Sequence, residues 1–199
     1  LAYANTIKAH ELLLNLNLMD ENGIRLDVSD PNNLGPIVGK AEALTGILNL
    51  LNESATLLAN AGDSFPFEFP VGFTGFDTPA TFLEFNRALA ARVALYQEDY
   101  AAALNYLSNS FLDLTGDLDT GVYYSFSLDA TDLPNPMFFP LNASTAGARI
   151  VQSSFVTDAE AGDTRLSKVV QRDESLTLDG LTGNYSLSFT NEFYSFNSQ

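Results

Sequence analysis

The sequence predicts a mainly α chain, with helical hairpins in its first half and a loop-rich second half carrying short β-strands. Three observations predict it. Apolar residues recur at spacings of three and four in four stretches before residue 112, the period of a helix with one buried face. Two of those stretches meet at the short corner Gln97-Glu98-Asp99-Tyr100. After Phe111 the helical period stops, and turn residues separated by short β-prone runs take over.

Residues 1–19 read as the first helix, with Tyr3, Ile7, Leu14 and Leu18 along one side and Asp20-Glu21-Asn22-Gly23 as its stop. A polar loop over 27–36 follows, turning at Asp30-Pro31-Asn32-Asn33. The second helix spans about 36–61, where Leu44, Ile47, Leu48, Leu51, Ala55 and Leu58 keep the three-four spacing. Between 64 and 77, Phe65, Phe67, Phe69, Phe73 and Phe76 alternate with Pro66, Pro70, Gly72 and Gly75, which forbids a regular helix.

The third helix, about 78–97, has Thr78 as its N-cap and Pro79 at the first helical position. Its stripe is Phe82, Phe85, Leu89, Val93 and Tyr96; that of the fourth helix, about 99–111, is Tyr100, Ala103, Leu104, Leu107 and Phe111. Ala91 and Ala103 flank the corner, so two helix backbones can approach closely there. Small residues, an Asp-Tyr corner and paired stripes together are the logic of a tetratricopeptide helical hairpin. An ordinary pair of core helices explains the stripes alone.

The remainder divides near Asp113, giving a helical part over 1–112 and a loop-rich part over 113–199 expected to pack on it as one domain. Residues 113–121 are acidic and turn-rich, 122–126 β-prone, and Asn135-Pro136 opens a loop running to about Gly147. Leu176 and Leu178, then Tyr185, Leu187 and Phe189, alternate with polar residues across Thr182-Gly183-Asn184, a hairpin signal.

Composition excludes several functions. Net charge is −16, which repels phosphate backbones, so nucleic acid is not an expected partner. With no cysteine there is no disulfide, thiolate zinc site or cysteine nucleophile. No apolar run is long enough for a membrane-spanning helix. His10 is the single histidine, which excludes a histidine-cluster metal site, and no Gly-x-Ser-x-Gly elbow accompanies it. It reads as a packed helix histidine. Asp20 to Asp30 is rich in oxygen ligands, but Pro31 stands where an EF-hand needs its twelfth-position glutamate. No metal or cofactor is expected. Asp158, Glu160 and Asp163 are typical of many possible carboxylate pairs, none with a separation fixed by the sequence. The N-x-S sequons at Asn52, Asn142 and Asn184 read as accidental.

The best ligand candidates are Tyr123 and Tyr124, each offering a ring for stacking and a hydroxyl for hydrogen bonding, with Asn135, Phe138 and Phe139 near in sequence. In a strand the two tyrosines point to opposite faces, so one of them serves. The phenylalanines of 65–76 lack a polar handle and read as a buried brace, their alternative being an exposed aromatic platform.

Several pieces, taken in order, carry a resemblance. They are ANTIKAHELL running into DENGIRLDV, then PIVGKAEAL, FPVGFTGFDTPATFLEFNRALAARVALYQEDYAAAL, DTGVYYSFS with Asn135-Pro136 after it, and FVTDAEAGDTRLSKVV. In this order the chain resembles the SusD-like (RagB/SusD) outer-membrane nutrient-binding lipoproteins. The resemblance implies a non-catalytic, cell-surface protein that captures glycans, oligopeptides or other complex nutrients for uptake through a TonB-dependent SusC-like transporter. It also implies that this chain is an internal part of a longer protein whose signal and acylated cysteine lie upstream, the only membrane attachment being that lipid anchor. The alternatives are a tetratricopeptide-type protein-protein adaptor and, further off, a carboxylate-dependent hydrolase.

Overall fold

A computed structural model of the chain describes residues 1–117, 119–126, 141–144, 148–187 and 194–197. They form two compact units, Leu1–Val122 and Tyr123–Asn197. The chain is mainly helical, with loops and a few short strands. No described helix is long and apolar enough to cross a membrane.

The first unit is built from α1 (Ala2–Met19), α2 (Lys40–Ala59), α3 (Pro79–Tyr96) and α4 (Tyr100–Leu107), each packed on the next. α1 buries Ala9, Leu12, Leu13 and Leu16, with Thr6 and His10 on the same face. The expected side through Leu14 and Leu18 is corrected: Leu18 is 86% exposed. The run LLLNLNLM is apolar around much of the helix, so its spacing leaves the buried face to be chosen by the contact with α2. α1 ends where expected. Asp20 leaves the helical region at φ 46°, and Gly23 follows at φ 72°. A Cβ on Gly23 would stand 1.9 Å from the Val38 carbonyl oxygen, so glycine is required by space as well as by φ.

The second helix starts later than predicted, at Lys40, because Ile37 and Val38 form a strand, β2 (Ile37–Val38), antiparallel to β1 (Ile24–Arg25). Between these strands the Arg25 guanidinium donates to the Gly35 carbonyl, and the Gly35 N–H donates to Asp27 O at 3.0 Å. α2 then buries Ala43, Leu44, Ile47, Leu51, Ser54 and Leu58.

The phenylalanine-rich segment folds over the helices. Rings of Phe65, Phe69 and Phe73 lie 4.8 to 6.0 Å from one another or from the fully buried Phe82, and Tyr3 of α1 meets Phe67 and Phe69 edge-on. Phe76 packs against Phe111 at 5.0 Å. Such edge-to-face contacts add to burial and let a Pro-broken segment hold position without a hydrogen-bonded ladder.

α3 opens with the expected cap: Thr78 accepts from the Thr81 N–H at 3.2 Å, the Thr81 hydroxyl oxygen accepts from the Thr78 N–H at 3.2 Å, and Pro79 follows Thr78. Phe82, Phe85, Leu89 and Val93 are buried as predicted, whereas Tyr96 is exposed. At the corner Glu98 takes φ 61°, and Asp99 accepts from the Ala102 N–H at 2.9 Å to cap α4. α4 is shorter than predicted. Its carbonyls are captured by turns through Ser108, Asn109 and Ser110, which ends the helix at Leu107. Its fully buried residue is Ala103; Leu107 and Phe111 of the expected stripe are half-buried, with Phe111 against the core, and Tyr100 and Leu104 are corrected, being 63% and 69% exposed. An eight-residue helix set close against α3 buries the small Ala103 fully and keeps Tyr106 partly covered, with its ring under Arg87 of α3, while Tyr100 and Leu104 stay in solvent.

In the second unit, β3 (Tyr123–Phe126) pairs antiparallel with β6 (Tyr194–Asn197), and β4 (Val169–Leu178) pairs antiparallel with β5 (Leu181–Leu187). The predicted hairpin exists but turns at Asp179-Gly180 instead of Thr182-Gly183-Asn184. Both turn residues have positive φ, 48° and 81°, the two-residue geometry that matches strand twist. Gly183 instead lies inside β5 against Ile150, which leaves no room for a Cβ. Ile150 bridges Ser186, and the Val151 N–H donates to Tyr185 O at 2.9 Å, so this segment lines the outer edge of β5. It continues into the one-turn helix α5 (Ser153–Thr157).

Candidate functional site

Of the five residues singled out from the sequence, Tyr123 and Tyr124 are described. They open β3, opposite Asn197 and Phe196 of β6. Tyr124 is 47% exposed and Tyr123 partly buried, so Tyr124 is the better placed for a ligand. Asn135, Phe138 and Phe139 lie outside the described residues.

The described part of the second unit also holds a cleft of ≈ 730 Å³, within the range of small-molecule sites. One wall is the approach to α5, with Gln152, Ser153 and Ser154; the other is the hairpin tip, with Asp179, Leu181 and Thr182. Sequence reasoning missed it. The Asp-Gly dipeptide at 179–180 is the signal that places the tip, while the opposing wall is set by the Ile150–Gly183 approach, which spans 33 positions and leaves no local mark.

Arg172 fixes this unit from inside. It is 8% exposed and donates to Leu141 O at 2.6 Å, Ala143 O at 2.9 Å, Ser186 Oγ at 2.9 Å and Glu174 O at 3.3 Å. Asn142 and Asp173 add a reciprocal pair, with Asn142 Nδ2 donating to Asp173 Oδ2 at 2.8 Å and the Asp173 N–H to Asn142 Oδ1 at 3.1 Å. A guanidinium satisfied by neutral carbonyls ties loop to strand.

A similar construction crosses the four helices. Arg87 of α3 donates to Asn86 Oδ1, to Asn52 Oδ1 at 3.0 Å and to Leu51 O at 2.8 Å; Asn86 Nδ2 donates to Thr6 Oγ1 at 2.8 Å, and Arg87 lies over the Tyr106 ring at 5.0 Å. Burial lowers the Arg87 pKa from its ordinary value, against a smaller raising effect of Tyr106, yet an arginine remains a cation at neutral pH. Its donors are spent on protein acceptors, so the group is a tie between helices. Asn52 and the fully buried Ser54 of the first sequon both lie inside α2.

Of the carboxylates considered for acid/base chemistry, Asp163 is committed to an ion pair with Arg165. Asp163 accepts from the Arg165 N–H at 2.9 Å and from its guanidinium at 2.6 to 3.1 Å, and this pairing takes its pKa down to about 2. A carboxyl held ionised that firmly is a poor proton donor near neutral pH. Asp20 pairs with Lys40 at 2.6 Å, which holds its pKa low, and Asp27 and Asp30 bind backbone N–H groups in Asx turns. Among the described residues no group of three or more His, Cys, Asp or Glu is arranged to hold a metal ion. His10 is buried on α1, its pKa lowered chiefly by burial and raised in part by Glu11, whose Oε1 is 3.5 Å from Nδ1.

No protein-family model matches the chain, and neither the curated proteins nor the solved structures contain a match to it.

Proposed function

We propose that the protein is a non-catalytic binding protein of the SusD-like type, capturing glycans or other complex nutrients at the outer-membrane surface and passing them to a TonB-dependent SusC-like transporter. The observation carrying this reading is the order of its family-like segments, from ANTIKAHELL through ALAARVALYQEDYAAAL to FVTDAEAGDTRLSKVV. The α3–α4 corner with its buried alanines supports the tetratricopeptide-like part of it. On this reading the helical unit is scaffold, and ligand contacts come from loops and short strands of the second unit, with Tyr124 stacking on the ligand, Tyr123 on the other face of β3, and Asn135, Phe138 and Phe139 as the further candidates near in sequence.

A glycan and oligopeptide array, followed by calorimetry on each hit and chromatography of the incubated ligand, tests it. Saturable binding with the ligand recovered intact is expected, weakened by Tyr124→Ala without a change in the melting transition. Released product would revive the hydrolase reading. Capture of a SusC-like transporter by the lipid-anchored protein tests the partner. The adaptor reading keeps one observation in its favour, the exposed Leu95, Tyr96, Tyr100 and Leu104 at the α3–α4 hairpin, and gains if only protein segments bind.

A further inference from the structure

We infer that the cleft between the α5 approach and the β4–β5 hairpin tip is the ligand pocket, and that its guest is a neutral, hydroxyl-rich molecule the size of a short oligosaccharide. The inference rests on the glycan-binding form of the proposed function and moves the main contact from the tyrosine pair to the hairpin.

Size comes first: ≈ 730 Å³ lies in the range that encloses small organic ligands. The chemistry of the lining then selects the class. The hydroxyls of Ser153, Ser154 and Thr182 each donate and accept, the Gln152 amide does both from separate atoms, and Asp179 accepts. Such a set matches a guest whose own hydroxyls donate and accept at neighbouring positions. The described lining contains no cation, so an anionic guest finds no counter-charge, and no aromatic ring, so a flat π-system finds no stacking partner. Ile150, Leu178 and Leu181 supply aliphatic surface for the C–H edges of a sugar ring, and Leu181 is left 78% exposed.

The walls are pre-formed. The tip is held by its two positive-φ turn residues and by the Thr177–Thr182 hydroxyl pair at 2.6 Å. The opposite wall is pinned by the Val151–Tyr185 hydrogen bond and by Ile150 lying against Gly183. A guest entering such a site orders little of the protein, which limits the entropic cost of binding.

Because the chain has no cysteine, Leu181→Cys places a single thiol at the cleft mouth, and Leu104→Cys on α4 is the matched control. Each is labelled with an environment-sensitive fluorophore and titrated with maltotriose, xylotriose, tri-N-acetylchitotriose, trialanine and trilysine, with calorimetry on the unlabelled protein alongside. The expected result is a saturable change at position 181 and none at position 104 with at least one trisaccharide, and a tenfold or greater weakening by Thr182→Val with an unchanged far-UV spectrum. If a trisaccharide binds by calorimetry while position 181 stays silent and Thr182→Val binds normally, the pocket is overturned and the glycan-binding function stands. Response to trilysine alone overturns the neutral-guest assignment in favour of pairing with Asp179, and response to trialanine alone overturns it in favour of a peptide. Absence of calorimetric binding by every probe overturns the inference; an empty glycan and oligopeptide array is the separate result that removes the function itself.

Discussion

Replacing Arg87 by Met tests whether the polar tie across the helices stabilises the first unit. Methionine keeps most of the chain's length and apolar contact while removing every donor. Two side-chain acceptors then lose the guanidinium: Asn86 Oδ1, on a residue fully shielded from solvent, and Asn52 Oδ1, on a partly exposed residue that water can reach. Leu51 O keeps its place in the α2 ladder, so its loss counts for less. One buried orphaned acceptor costs about 1 to 3 kcal/mol, and a wetted one a fraction of that. The contact of the cation with the Tyr106 ring adds about 0.5 to 1 kcal/mol. The sum is about 2 to 4 kcal/mol, read as a lower urea midpoint at unchanged slope in far-UV circular dichroism. Arg87→Lys should recover little, because a single ammonium cannot span Asn86 and Asn52 as the planar fork does. Asn86→Leu combined with Arg87→Met should cost less than the two changes added, since removing both partners leaves no orphan at that point. A midpoint for Arg87→Met within about 0.5 kcal/mol of the parent, the range of ordinary surface changes, would refute the tie.

His10 is buried with its pKa below the ordinary value, so the unfolded chain binds its proton more readily than the folded one. Stability should therefore be full above about pH 6.5, the unfolded value, and fall as pH drops from there through the lowered folded value; His10→Gln should flatten melting temperature against pH over that window. Ser54 Oγ is buried without a hydrogen-bond partner, and Ser54→Ala should raise stability by about 1 to 2 kcal/mol in the same urea assay, a decrease showing that the hydroxyl has a partner. Glu98 holds φ 61° at the α3–α4 corner, and Glu98→Gly should stabilise by about 1 kcal/mol in the same urea assay, a loss of stability refuting the left-handed strain. Ala103→Leu should destabilise by about 1 to 3 kcal/mol through overpacking of the strip where α4 meets α3, and an unchanged melt would mean that the face opens to solvent.

Much of the helical unit was legible because its signals are local. The Thr78-Pro79 start, the Asp20 to Gly23 stop, the stripe of α2 and that of α3 from Phe82 to Val93 each depend on residues within a turn of one another, and all reappear in the structure. The misplaced hairpin turn was also a local matter. Asp179-Gly180 carries the stronger turn signal, and the glycine at 183 is there for the Ile150 side chain. Among the candidate site residues, the sequence distinguished Tyr124 only as one of two alternatives, since the strand's alternation is local but the choice of the exposed side is not.

By itself the sequence determined that four helices stand in the first part, where α1 ends and α3 begins, that thiol chemistry and a histidine-cluster metal site are excluded, and that the phenylalanine-rich segment forms no α-helix, because composition, caps and period act over a few residues. Tertiary structure alone decided which face of α1 is buried, that α4 touches α3 through Ala103 while Leu104 stays exposed, that Asn86 meets Thr6 across 80 positions, and that a cleft opens at the hairpin tip. Those outcomes depend on pairing surfaces distant in the chain, where a helix apolar on several sides accepts more than one partner and a polar side chain is satisfied only by whatever folding brings within hydrogen-bond reach.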